Sequence, residues 1–144
     1  MSLASLFGGL ALANAGLGAA HGFAGPIGGM FQAPHGVICA RLLPHVIGAN
    51  INVLLARDPE NPALARYGRI AQIMTGSDSA CAKDAIDWVG RLCLDLQVPS
   101  LAEYGLTEEL IPLAVGKAKH SSSMKGNCIT LTDEELTQIL AESL

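Results

Sequence analysis

Charge is scarce in this chain, and over long stretches it is missing. No Asp or Glu occurs before Asp58, and no Lys or Arg before Arg41. Charged residues make up 15% of the 144, against about 25% in an average globular domain. With a net charge of −4 and no Lys/Arg cluster, nucleic-acid binding has no electrostatic footprint. The apolar run up to Ala20 lacks the preceding basic residues of a secretory leader. Its Gly8, Gly9, Gly16, Gly18 and Asn14 suit a helix packed closely by protein better than a membrane span, so no membrane partner is expected. Cysteine is sparse too. Cys39, Cys81, Cys93 and Cys128 follow no C-x-x-C spacing, which argues against a disulfide framework. They are expected to be reduced, mostly buried thiols of a cytoplasmic protein. A zinc site built from them would need a convergence in space that their spacing does not show.

Period-two alternation is absent and β-branched residues dominate no window, so no strand is expected. There is no internal repeat, low-complexity tract or long linker. Several catalytic signatures are missing as well. Gly16-Leu17-Gly18 has no preceding strand, third glycine or following acid, and reads as helix packing rather than a nucleotide fingerprint. Ser121 to Asn127 lacks the Gly-Lys-Ser/Thr order of a phosphate loop and reads as a helix end turning at Gly126. No nucleophile elbow and no paired carboxylates in a credible cleft occur. Asp133, Glu134 and Glu135 read as helix-start acids.

What is present is helical. Half of the residues are hydrophobic, and a chain of this length buries about 68–70% of its unfolded surface, enough for a normal core. The low charge leaves room for an apolar face where a self-sufficient domain would be polar. The pattern predicts one all-α domain, residues 1–144, of six or seven helices. Leu3 to about Ala20 reads as a buried helix. Gly22 to Phe31 reads as a loop or short helical piece broken by Pro26 and Gly28-Gly29. Pro34 fits the first position of a helix that Pro44 should kink or end, with the helical pattern resuming from Val46 to about Leu55. Asn61 caps a helix with Pro62 first, and Leu64, Tyr67, Ile70, Ala71 and Met74 share one face. Ser77 or Asp78 caps the next, with Ala82, Ile86, Val89, Leu92 and Cys93 as its stripe. Thr107-Glu108-Glu109 starts another, with acids at the positive helix end. Thr132 and Glu135 form a capping box, and Leu136, Ile139 and Leu140 carry that last helix inward.

The chemistry concentrates in His21 and His35. Both sit in glycine-rich, uncharged surroundings, where an imidazole is costly to bury unless something satisfies it. Glycine costs about 1 kcal/mol against alanine inside a helix, so glycines clustered about a histidine suggest close backbone approach. A metal is one partner that neutral imidazole commonly takes. Spacing alone does not separate a metal from a backbone carbonyl. Two ligands are also too few for a typical site. His45, across Pro44, points elsewhere by this reading, and His120 lies in a polar stretch with Ser121 to Ser123.

The run Gly16-Leu17-Gly18-Ala19-Ala20-His21-Gly22-Phe23-Ala24-Gly25-Pro26-Ile27-Gly28-Gly29 is followed by Ala33-Pro34-His35-Gly36, Leu42-Leu43-Pro44-His45-Val46 and Asn50. Near the end stand Ser122-Ser123-Met124-Lys125-Gly126-Asn127 and Leu131-Thr132-Asp133-Glu134-Glu135-Leu136. In this order the segments resemble the iron-containing alcohol dehydrogenases over nearly the whole chain. The resemblance implies the C-terminal all-helical domain of a two-domain oxidoreductase whose other domain binds NAD or NADP. It implies a divalent metal, Fe²⁺ or in some members Zn²⁺, held by an aspartate and three histidines. The metal acts there as a Lewis acid on the alcohol or carbonyl oxygen during hydride transfer. His21 and His35 match the last two histidine ligands. The aspartate and the first histidine would lie upstream of Met1, with the nucleotide-binding domain. In many members a further histidine follows four positions after the His21 match; here that place is Gly25, which removes a histidine-based proton relay. Cys128 stands where many members have proline. The chain alone is therefore expected to be inactive, to bind metal weakly and not to bind NAD(P)H. The other reading is a non-catalytic helical domain that covers its apolar face with a second copy or a partner protein.

Overall fold

The computed structural model describes residues 2–144, which form seven α-helices and three short 3₁₀ turns, with no strand among the described residues. The helices are α1 (Ser2–Ala15), α2 (Ala19–Met30), α3 (His35–Arg57), α4 (Pro62–Thr75), α5 (Ala82–Asp95), α6 (Ile111–Ala118) and α7 (Asp133–Ala141). The all-α architecture and helix number agree with the sequence pattern.

The core forms where α2, α3, α6 and α7 meet. Phe23 and Ile27 of α2, Ile38 and Leu42 of α3, Ala114 of α6 and Leu136, Ile139 and Leu140 of α7 are all buried there. Helix α3 is the spine, with α2, α4, α5 and α7 packed on it. It is long and apolar enough to cross a membrane, but in this fold those qualities serve burial against four neighbours. Helices α4 and α5 pack on each other and on α3. The caps at two helix starts are those expected. Asn61 Oδ1 accepts from Ala63 N–H at 2.9 Å. Thr132 Oγ1 accepts from Glu135 N–H at 3.2 Å, while the Glu135 carboxylate accepts from Thr132 N–H at 2.7 Å.

Six expectations need correction. Helix α1 is not buried: every one of its residues is exposed, and nothing approaches Gly8 or Gly9. Its apolar residues ring the whole helix, so no one face is directed at the core. Gly16-Leu17-Gly18 packs against Asn127 and Gly126, but as a corner and not within a helix. Gly16 takes φ +73°, and α1 and α2 meet there at 97°. The stretch expected as a loop or broken helical piece is an unbroken helix from Gly22 to Met30, through Pro26 and the glycines, because Gly22, Phe23, Ala24 and Ile27 all bury their positions in the core; packing overrides intrinsic propensity. Pro44 does not end α3. Proline has no N–H for the Ala40 carbonyl, and the Cys93 thiol of α5 donates to that carbonyl instead, at 3.4 Å. The α5 cap is Cys81, whose N–H donates to the Asp84 carboxylate at 2.7 Å; neither Ser77 nor Asp78 takes that place. Lastly, no cysteine is fully buried: Cys39 and Cys93 are partly buried, and Cys81 and Cys128 are exposed.

Candidate metal site

His21 is the third residue of α2, and His35 is the first of α3. A four-residue loop (Phe31 to Pro34) turns the chain back between them, and the two helices pack together. That return brings the imidazoles together, with ring centroids 5.3 Å apart and planes tilted by 54°. One turn further along α3, Cys39 joins them. Its Sγ lies 3.5 Å from His35 Nε2. One donor atom from each of His21, His35 and Cys39 lies within 4.8 Å of the others. Among the described residues this is the one group of three His, Cys, Asp or Glu side chains close enough to share a metal ion. His35 is exposed, and His21 and Cys39 are partly buried. Burial pushes the Cys39 thiol above its ordinary range.

The start of α2 is held from outside. Gly18 caps it without a side chain, and Asn127, far along the chain, substitutes: its Oδ1 accepts from Ala19 N–H at 3.1 Å. Asn127 Nδ2 donates to Asn50 Oδ1 at 2.7 Å and to Ile129 O at 2.8 Å. Asn50 in turn donates to Asn127 Oδ1 at 3.2 Å and to the Tyr67 hydroxyl at 3.1 Å. Burial pushes the Tyr67 pKa up to about 12, so its hydroxyl stays neutral. This network ties α2, α3, α4 and the Ser122–Gly126 turn around the base of the histidine helix. Two glycines let the backbones close. A Cβ on Gly22 would stand 2.8 Å from Met124 Cε, and one on Gly126 would collide with the Leu17 carbonyl.

His45 and His120 take no part in the cluster. His45 Nδ1 pairs with Glu142 Oε2 at 3.2 Å, between α3 and α7. Desolvation lowers its pKa, outweighing the opposing pull of Glu142. His120 is exposed. A groove of about 1060 Å³ among α3, α5 and α7 includes His45 but neither His21 nor His35. Two charge pairs cross its walls, His45–Glu142 and Arg57–Glu135. The His21 ring makes no hydrogen bond among the described residues, and chemistry therefore points to the imidazole pair rather than to the groove. Cys39 is what reading the sequence missed. The signal was its position four residues after His35 in a helix, which puts both side chains on one face.

Two imidazoles and a thiol, with no carboxylate among them, suit a borderline or soft divalent ion such as Zn²⁺ or Fe²⁺ and not Mg²⁺ or Ca²⁺. The donor set thus fits part of a transition-metal shell.

Comparisons with known proteins place this arrangement in context. The model of the Fe-containing alcohol dehydrogenase family, C-terminal, matches residues 1–144. The chain is 34% identical to alcohol dehydrogenase 4 of Schizosaccharomyces pombe, over 100% of its own length and 32% of that protein. It is 33% identical to 1,3-propanediol dehydrogenase of Klebsiella pneumoniae, over 99% of itself and 36% of the relative. Among solved structures, a 1,3-propanediol oxidoreductase superposes with a TM-score of 0.84 at 31% identity, covering 98% of this chain and 36% of that one. The iron-containing alcohol dehydrogenase of Thermococcus thioreducens gives a TM-score of 0.74 at 27% identity, covering 94% and 34%. The chain spans about a third of the length of the relatives it matches.

Proposed function

This chain belongs to the iron-containing alcohol dehydrogenase family, as its all-helical C-terminal part, and from that premise we propose that it contributes half of the metal centre of an NAD(P)-dependent alcohol dehydrogenase or carbonyl reductase. The observation that carries the reading is the convergence of the His21 and His35 rings, 5.3 Å apart by centroid, from two different helices. Neutral imidazoles on His21 and His35 would hold Fe²⁺ or Zn²⁺, which in such a site supplies Lewis-acid polarisation of the substrate oxygen. The remaining ligands and the dinucleotide pocket would come from the part of the relatives that this chain does not span. Within this chain, Asn127 and the close approach at Gly22 set the position of His21, and the first turn of α3 sets that of His35. Gly25 leaves no imidazole one turn beyond His21 to relay a proton, so that task falls to solvent or to the other part. Free thiols fit the reducing cytoplasm as its compartment.

The same reading makes the upstream part of the relatives the cover for α1, whose Leu3, Leu6, Phe7 and Leu10 are each at least half exposed. Those exposed side chains also favour a second reading, a non-catalytic helical domain that buries α1 against another copy. Metal analysis after loading with Fe²⁺ or Zn²⁺, alongside light scattering, separates them. Binding that falls away in His21→Ala and in His35→Ala supports the metal centre. Binding untouched by both substitutions would place the metal elsewhere and refute the site. A metal-free dimer would favour the second reading. NAD(P)H titrated into the chain alone should give no fluorescence change, since the dinucleotide pocket is assigned to the other part; tight binding would overturn that assignment.

A further inference from the structure

The pairing of two histidines does not account for Cys39. Two neutral imidazoles lend a dication no negative charge, and the first carboxylate in the chain is Asp58. Within the cluster the one group able to supply an anion is the Cys39 thiol, which gives its proton to solvent when a metal binds. Its placement suits that role. In tetrahedral zinc, with Zn–N of about 2.05 Å and Zn–S of about 2.3 Å, a nitrogen and a sulfur ligand stand about 3.5 Å apart. Cys39 Sγ and His35 Nε2 are already 3.5 Å apart. The metal-free hydrogen bond and the shared coordination edge thus have the same length, and the i, i+4 spacing on α3 holds it. The other separations lie within 4.8 Å.

We infer that Cys39 is a third metal ligand, so that His21, His35 and Cys39 form a thiolate-bearing site that selects Zn²⁺ over Fe²⁺. Thiolate favours zinc over harder ions, and zinc lies above iron(II) in the general affinity order for such donors. The inference rests on His21 and His35 being metal ligands, and goes beyond it by changing the ligand count, the charge and the preferred ion. Three donors from one chain also bind more tightly than the weak pair expected from two histidines, and leave a fourth position open.

Cobalt(II), a spectroscopic stand-in for zinc, tests this on the full chain. One equivalent should give a near-ultraviolet thiolate-to-cobalt charge-transfer band, removed by added Zn²⁺. In Cys39→Ser the band should vanish and Zn²⁺ affinity should fall by about tenfold or more, with helical circular dichroism unchanged; Cys39→Ala should behave the same way. A band that persists in Cys39→Ser overturns the inference by assigning it to another cysteine. Cobalt binding that needs His21 yet shows no such band, with Cys39→Ser binding as tightly as the parent, overturns it too while leaving the histidine pair standing. No cobalt binding at all would overturn the triad, whose three donors should hold the ion unaided, while leaving the two-histidine half-site standing. Equal or greater preference for Fe²⁺ over Zn²⁺ in the parent chain would refute the selectivity.

Discussion

Replacing Asn127 by alanine should destabilise the fold out of proportion to the size of the change. The side chain makes four hydrogen bonds, to Ala19 N–H, to both ends of the Asn50 amide and to Ile129 O. A typical net contribution is about 1 kcal/mol each, and an orphaned buried polar group costs about 1–3 kcal/mol. Asn50 is 3% exposed and Ala19 0%, so water cannot easily replace the partners that the Asn50 Oδ1 and the Ala19 N–H lose, whereas Ile129 is only partly buried. Four such bonds come to about 4 kcal/mol, which for a chain of this size lowers Tm by roughly 8–16 °C. Urea unfolding of Asn127→Ala, Asn50→Ala and the double variant measures it. The double variant removes both halves of one network, so its cost should fall short of the summed singles by about 1 kcal/mol or more. A loss under about 0.5 kcal/mol for Asn127→Ala, with additive singles, would refute the claim that this network braces α2. Metal affinity gives an independent reading: Asn127 touches no candidate ligand, yet freeing the start of α2 should weaken binding through His21.

Three further outcomes follow from individual contacts. Because burial holds the His45 pKa below its ordinary 6.5, the unfolded chain takes the proton first as pH falls; stability should therefore drop below about pH 6.5, and His45→Gln should flatten urea midpoints between about pH 8 and about pH 5. Cys93→Ala orphans the Ala40 carbonyl that Pro44 leaves free and should cost about 1 kcal/mol more than Cys93→Ser, which keeps a donor; equal losses in urea would discount that bond. The pair Leu6→Lys and Leu10→Lys should change unfolding free energy by less than about 0.5 kcal/mol, since α1 buries nothing among the described residues, while reducing concentration-dependent light scattering; unchanged scattering would show that α1 is not the adhesive surface.

The helical class, the Asn61 and Thr132 caps and the inward face of α7 were legible in the sequence because each rests on local chemistry: a capping side chain, a fixed φ, a 3.6-residue period. The failures share one cause. Proline and glycine in α2 and at Pro44 looked like breaks because their local penalties are visible in sequence, whereas what offsets them comes from elsewhere: the core around Phe23 and Ile27, and the Cys93 thiol fifty residues on. Helix α1 failed in the opposite sense. Its apolar composition called for burial, yet nothing among the described residues buries it. Likewise, the two histidines stood out by composition, whereas Cys39, four residues after His35 in the expected helix, gains its significance only once α2 and α3 bring His21 beside it.

These two gaps, the uncovered α1 and the incomplete ligand set, lie close together in the chain. His21 stands three residues beyond Gly18, the end of the corner where α1 turns through 97° into α2. On one side of that corner Asn127 holds Ala19; on the other, α1 has no cover among the described residues. Whatever packs on α1 therefore also sets the direction of the chain entering the ligand helix. If the covering surface also carries the remaining metal ligands, metal binding and packing on α1 favour the same arrangement and must strengthen each other by an equal factor, since coupling between two binding events is reciprocal. The thiolate of Cys39 changes the size of that coupling. A chain holding zinc by three ligands of its own gains less from a fourth supplied from outside than a chain holding iron by two.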